Sequence, residues 1–150
     1  MTTPSPTLWL EDFKPGTVFS GGPRKIVERD LLYCTLWCGD GQPHSNEEYS
    51  RQSPWGSRIL HGDGMLAVGM GLIQKQGMFD ESLADCKAMA IRYPRPVYVG
   101  DEISSKMTVK SVEKAGSADG MVVIDLAITN ETKATTSIEA TIHYVVKRRP

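Results

Sequence analysis

Apolar and polar residues alternate along the last third of the chain. Between residues 103 and 112, Ile103, Met107 and Val109 fall on one face, and Lys106, Thr108 and Lys110 on the other. Val122, Ile124, Leu126 and Ile128 share a face, as do Thr136, Ile138, Ala140, Ile142, Tyr144 and Val146. A period of two is the mark of half-buried strands, because successive side chains of a strand point to opposite sides of the sheet. Turn formers at 116–120 and 130–133 separate the runs, so the pattern predicts long antiparallel strands. Residues 88–93 and 97–98 read as extended around Pro94 and Pro96.

The first half reads differently. Residues 59–78, ILHGDGMLAVGMGLIQKQGM, are apolar, free of proline and long, which predicts a buried helix. Four of its five glycines, Gly62, Gly64, Gly69 and Gly71, would each cost that helix about 1 kcal/mol relative to alanine. They make sense where another part of the chain must come very close. Residues 31–38, LLYCTLWC, predict a short buried helix capped by Asp30 and stopped by Gly39. A Pro-Gly turn at 15–16 leads into a short strand, which Gly21, Gly22 and Pro23 are expected to break before a second extended piece at 25–27. Trp9 and Leu10 are expected to dock on the core. Helices followed by a run of antiparallel strands define an α+β domain. A long buried helix wrapped by a curved antiparallel sheet is the hotdog architecture. Such sheets pair into dimers, which also covers their edges.

A chain of 150 residues is one domain, 1–150, and is long enough to bury a core without staples. Its formal charge, 17 − 18 = −1, argues against nucleic acid or an anionic membrane as partner. The apolar runs are too short for a spanning helix. The first residues lack the basic and apolar regions of a secretory signal. Three cysteines, Cys34, Cys38 and Cys86, make no disulfide framework and fit a cytoplasmic protein. Cys34 and Cys38 with His44 and His61 match no zinc spacing. They are expected to be small buried thiols, with no metal bound.

Residues 39–58 form a polar stretch, rich in turn formers, with a helical turn expected near 46–50. A polar segment of that length inside a compact domain usually carries function. It holds Asp40, Gln42, His44 and Glu47, and His61 and Gly62 follow where the long helix begins. A carboxylate and an imidazole a few residues apart can aim at one water and move its proton. A helix start offers unpaired backbone N–H groups and a positive dipole end, and Gly62 would leave them open to a carbonyl oxygen. Asp63 reads as a helix cap, His143 as a solvated strand residue, and Met65 and Met70 as core.

CGDGQPHSNEEYS (38–50) resembles the hydratase signature of the MaoC-like family, the R-specific enoyl-CoA hydratases. SPWGSRILHG (53–62) is similar to the family's segment leading into its His-Gly helix, and RPVYVGDEI (95–103) to its Pro-Val-aromatic-Val-Gly-Asp stretch. LEDFKPGTVF and ITNE fit the front and the end, so the resemblance covers nearly the whole chain in order. It implies a catalytic pair at Asp40 and His44 and an oxyanion-hole N–H at Gly62. The Asp-to-His stretch is one residue shorter than the family's pattern, and Gln42 stands where the family has Asn.

The resemblance implies a cofactor-free hydratase or dehydratase, working as a homodimer on an enoyl or 3-hydroxyacyl thioester of coenzyme A. Gln42 is the expected neighbour of substrate at the signature. Arg58, Arg92 and Arg95 are the expected partners of the coenzyme's phosphates. Two other readings share the fold. One is a non-catalytic acyl-CoA-binding hotdog or partner subunit, which the shortened stretch would favour. The other is a thioesterase with Asp63 as its helix carboxylate.

Overall fold

The computed structural model describes residues 7–39, 41–113 and 116–150. A short turn of helix at Leu10–Asp12 precedes β1 (Val18–Lys25). Helices α1 (Glu28–Cys38), α2 (Gln42–Ser45), α3 (Glu47–Gln52) and α4 (Gly62–Gln74) follow. Four strands complete the described chain: β2 (Leu83–Arg92), β3 (Glu102–Glu113), β4 (Asp119–Asn130) and β5 (Thr135–Lys147). The strands form one antiparallel sheet in the order β1-β3-β4-β5-β2.

The alternation predicted for the late strands is what places the core. Ile103, Met107, Val109, Val122, Ile124, Leu126, Ile128, Ile138, Ile142 and Val146 are all at most 2% exposed. Burying each such side chain contributes roughly 1.5–3 kcal/mol. Register shifts between Gly21 and Arg24, Val109 and Ser111, and Ile128 and Thr129 insert bulges that bend and twist the strands. The sheet therefore curls, and its apolar face receives α4.

The glycines of α4 explain how closely helix and surroundings meet. A Cβ at Gly69 would run into the Ile128 side chain of β4, and one at Gly64 into Cys34 Sγ of α1. On the sheet side, a Cβ at Gly21 of β1 would collide with the Leu72 backbone. Gly71 has open space beside it and plays no such part. The helix is shorter than the apolar run: residues 59–60 are extended, with Ile59 bridged to Tyr98, and the helix gives way beyond Gln74.

Several expectations need correction. β1 is one strand through Gly21–Pro23, because pairing with β3 resumes beyond the bulge. α1 begins at Glu28, and Asp30 sits inside it, with its carboxylate accepting from Val27 N–H at 2.9 Å and from Arg24 at 2.6 Å. α1 is also not buried on all sides. Leu31 and Cys34 face the core, while Leu36 and Trp37 are 77% and 75% exposed. Cys38 and Cys86 are exposed thiols, and only Cys34 among the three is buried. Asp63 does not cap α4; His61 occupies the N-cap position.

Two of the motif segments meet for structural reasons. Asp101, 5% exposed, accepts from Asn130 Nδ2 at 2.7 Å and from Tyr98 N–H at 3.0 Å, and pairs with Lys133 at 3.2 Å. Lys133 also lies 3.7 Å over the Tyr98 ring. This knot fixes the turn before β3 and, through the Ile59–Tyr98 bridge, the approach to α4.

Candidate functional site

The segment between α1 and α4 folds as two short helices held by backbone bonds. Asn46 caps α3 by accepting from Tyr49 N–H, and the buried Ser50 donates to Pro43 O at 3.3 Å. Ile59 clamps α2 twice. Its N–H donates to Pro43 O at 3.0 Å, and its carbonyl lies 2.8 Å from His44 Nδ1. Leu60 N–H donates to Val97 O at 2.8 Å, tying the clamp to the core.

That clamp sets the chemistry of His44. A carbonyl can only accept, so Nδ1 carries the proton, and the neutral ring keeps its lone pair on Nε2. A Cβ at Gly41 would lie 3.1 Å from His44 Cδ2 and 3.8 Å from Nε2, so glycine there leaves this ring edge clear. The other ring face is covered by His61. The two imidazoles stack with centroids 3.7 Å apart and planes inclined by 21°. His61 is 7% exposed and is held at the N-cap of α4.

Gly62 is the first residue of α4, and the cap residue supplies no side-chain hydrogen bond to the turn it begins. The first N–H groups of a helix have no intrahelical partner, so this end presents donors and the positive end of the helix dipole. The Tyr93 ring lies against Gly62: a Cβ would come within 2.8 Å of Cε1. The Tyr93 hydroxyl donates to Asp63 Oδ1 at 3.2 Å. Burial pushes its phenol above the ordinary range, and the Asp63 carboxylate adds to that, so the hydroxyl stays a donor at neutral pH.

These residues surround a groove of about 820 Å³ that His44, Trp55, His61, Gly62, Tyr93 and Arg95 help to line. Of the residues expected from the sequence, His44, Gly62 and Arg95 therefore come together. Gln42 is exposed at the start of α2 and does not line the groove. Arg58 is engaged elsewhere: its Nη1 and Nη2 donate to Glu28 at 2.7 and 2.9 Å, and its Nε donates to Glu47 at 3.0 Å. The Glu28 hydrogen bonds hold that guanidinium still more firmly charged. Arg92 stands on the sheet's outer surface, 3.7 Å from Glu139. Asp40 lies outside the described residues.

Neither the His61 stack nor the Tyr93 wall is legible in the local sequence. Both depend on the Ile59–Tyr98 bridge and the Pro-rich turn after β2, contacts between segments distant in the chain. Among the described residues, no three His, Cys, Asp or Glu side chains are grouped to hold a metal ion. No helix among them is long and apolar enough to cross a membrane.

A curled antiparallel sheet wrapped on a central helix, with short helices crossing the mouth, is the hotdog fold. The family model for the MaoC-like domain matches residues 12–132, and the chain belongs to that family. The chain is similar to the Protein MaoC of Klebsiella aerogenes, 26% identical over 114 residues covering 74% of this chain. It spans about a third of that relative, 34% of its length. A MaoC-like dehydratase from Rhodospirillum rubrum superposes with a TM-score of 0.84 at 24% identity, covering 95% of this chain and 99% of the other. The unliganded R-hydratase PhaJ1 from Pseudomonas aeruginosa superposes with a TM-score of 0.76 at 16% identity, covering 95% and 88%.

Proposed function

We propose that this chain, as one domain spanning 1–150, is a cofactor-free hydratase or dehydratase acting on an enoyl or 3-hydroxyacyl thioester of coenzyme A. The observation that supports it most is His44, fixed through Nδ1 on the Ile59 carbonyl. Its free Nε2 lone pair lies in the same groove as the open helix start at Gly62. The family match and the likeness in fold to an R-hydratase point the same way.

In this reading the thioester carbonyl accepts from Gly62 N–H, where negative charge develops as the enolate forms. Asp40 and His44 hold a water beside the β carbon. The water oxygen bonds to that carbon as one proton leaves it, and a proton reaches the α carbon on the same face. Asp40 is the partner group that the signature-like segment at residues 38–50 supplies. Arg95, exposed at the rim, is the coenzyme's phosphate partner. Asp63, the carboxylate a thioesterase would need, is turned to the Tyr93 hydroxyl. The active form is a cytoplasmic homodimer built through β2, an edge strand exposed along most of its length, and a monomer mass by light scattering at high concentration would contradict this.

The test is a hydration assay with a trans-2-enoyl-CoA beside a thiol-release assay. Hydration without thiol release is the expected result. Asp40→Asn is expected to lower turnover roughly 100-fold or more while changing substrate binding little. Thiol release, or binding with no turnover, overturns the reading, and an Asp40→Asn enzyme at full rate removes Asp40 from it.

A further inference from the structure

The His44 ring is oriented by what touches it. Its outer side-chain torsion ends on a flat ring, and torsions of that kind have broad preferences that fix no single angle. The bond from Nδ1–H to the Ile59 carbonyl, 2.8 Å long, holds one atom of the ring. It leaves the ring free to swing about the N–H···O line, and Nε2 lies off that line. A contact on the face of the ring is what stops such a swing.

The His61 imidazole makes that contact. The two centroids are 3.7 Å apart and the planes 21° from parallel, a separation at which the ring atoms touch. His61 is 7% exposed, whereas His44 is half-buried, so the better anchored ring braces the other. The backbone on either side of His61 is tied down as well. Leu60 N–H donates to Val97 O at 2.8 Å, and the His61 carbonyl accepts from Met65 N–H at 2.9 Å in the first turn of α4. Gly62, whose N–H opens that helix, is the next residue. The wall behind His44 and the first donor of α4 therefore belong to consecutive residues and move together.

We infer that His61 is a positioning residue: through the stack, its ring holds Nε2 of His44 at a set separation from the Gly62 N–H. The inference rests on the proposed function and adds to it a residue that acts through His44. A brace of this kind needs a flat ring at position 61 and makes no use of its nitrogens.

The test compares variants in the hydration assay, each checked for folding by circular dichroism and thermal midpoint. His61→Ala is expected to lower kcat roughly 10- to 100-fold, the cost of a misplaced reacting group, while KM stays within about twofold. His61→Phe supplies a flat ring without nitrogens and should recover kcat to within about fivefold of the unmodified protein. His61→Gln keeps a polar end without a ring and should stay as slow as His61→Ala. A full rate in His61→Ala, rescue by His61→Gln, or a folded His61→Phe as slow as His61→Ala overturns the role of the stack.

A second measurement needs no turnover. The chain has three histidines, so His44→Ala and His61→Ala assign their ring signals in nuclear magnetic resonance spectra of isotope-labelled protein. The unmodified protein should show a ring-to-ring nuclear Overhauser contact between His44 and His61, with His44 protonated on Nδ1. In His61→Ala the His44 Nδ1–H signal should broaden as the freed ring exchanges its proton with water. Absence of the ring contact, or an Nδ1–H signal equally sharp in His61→Ala, overturns the inference. A protein that shows the contact and the broadening but hydrates no trans-2-enoyl-CoA keeps the brace and overturns the proposed function instead.

Discussion

Along β4, every residue from Met121 to Asn130 has a partner on both β3 and β5. Val122, Ile124, Leu126 and Ile128 are at most 2% exposed. The segment from Gly41 to Gly62 has no such backing. Its two helices have four and six residues, too short to hold themselves in water, and Tyr49 and Trp55 lie open to solvent. What fixes it is a handful of polar ties: Ile59 to Pro43 and His44, Ser50 to Pro43, Tyr98 Oη to Trp55 O, and Arg58 to Glu28 and Glu47. Apolar burial therefore holds the sheet and α4, while directed bonds aim the groove. Changes in the two regions should show up in different measurements.

The largest separation is expected at His44. His44→Ala should lower hydration by roughly 10²–10⁴-fold, the range for a lost general acid or base. Its thermal midpoint should barely move, because a half-buried side chain on a short surface helix packs little core. A large loss of stability in this variant would show that the site segment carries part of the fold, and the division would fail.

The converse change is Ile142→Ala. Ile142 is fully buried and pairs with Ile124 and Met89 across its two neighbours. Its truncation should cost about 2–5 kcal/mol in urea unfolding. The fraction that remains folded should turn over substrate at the ordinary rate per molecule. A drop in turnover per folded molecule would mean that sheet packing reaches the groove through α4.

The same two regions differ in how far they could be read from sequence. Val122, Ile124, Leu126 and Ile128 announce their strand, because one buried face imposes a period of two and a one-residue slip would expose them all. α1 was harder. Leu31, Cys34, Leu36 and Trp37 are all apolar, and nothing local says that α4 covers the first two and leaves the last two bare. β1 looked broken at Gly21–Pro23 because those residues disfavour a strand locally, and the pairing that overrides them lies about eighty residues further on in β3. In the site, His44 and Gly62 were visible from residue types around a helix start. The His61 stack was not, since it depends on how Ile59 is bridged to Tyr98.

An intermediate effect is expected at high pH. Burial raises the Tyr144 phenol to about 12, from an ordinary value of 10.0. Below pH 10 the phenol is neutral whether the chain is folded or not, and it contributes nothing to the pH dependence. Between pH 10 and 12 the unfolded chain ionises while the folded one stays neutral, so stability falls as pH rises. The loss should level off at about 2–3 kcal/mol near pH 12. Urea midpoints measured against pH should show this fall, and Tyr144→Phe should flatten it. An equally steep fall in Tyr144→Phe would assign the alkaline loss to groups outside the sheet core.

The smallest effect, and the sharpest on the division itself, is expected at Arg58. Its guanidinium bridges Glu28 at the start of α1 and Glu47 at the start of α3, one residue before the Ile59 carbonyl that orients His44. Both carboxylates are about half exposed, so water and salt weaken the pairs. Arg58→Met keeps the apolar stem and removes the fork, and global stability should change by about 1 kcal/mol or less. Turnover should fall severalfold all the same, because a small displacement of Ile59 moves the lone pair of Nε2 off the water it must meet. Raising salt should reproduce part of that loss in the unmodified protein and little of it in Arg58→Met. If Arg58→Met turns over at the full rate, the backbone clamp at Pro43 and Ile59 holds the groove alone. If it unfolds many degrees early, the ion pairs belong to the fold as much as β4 does.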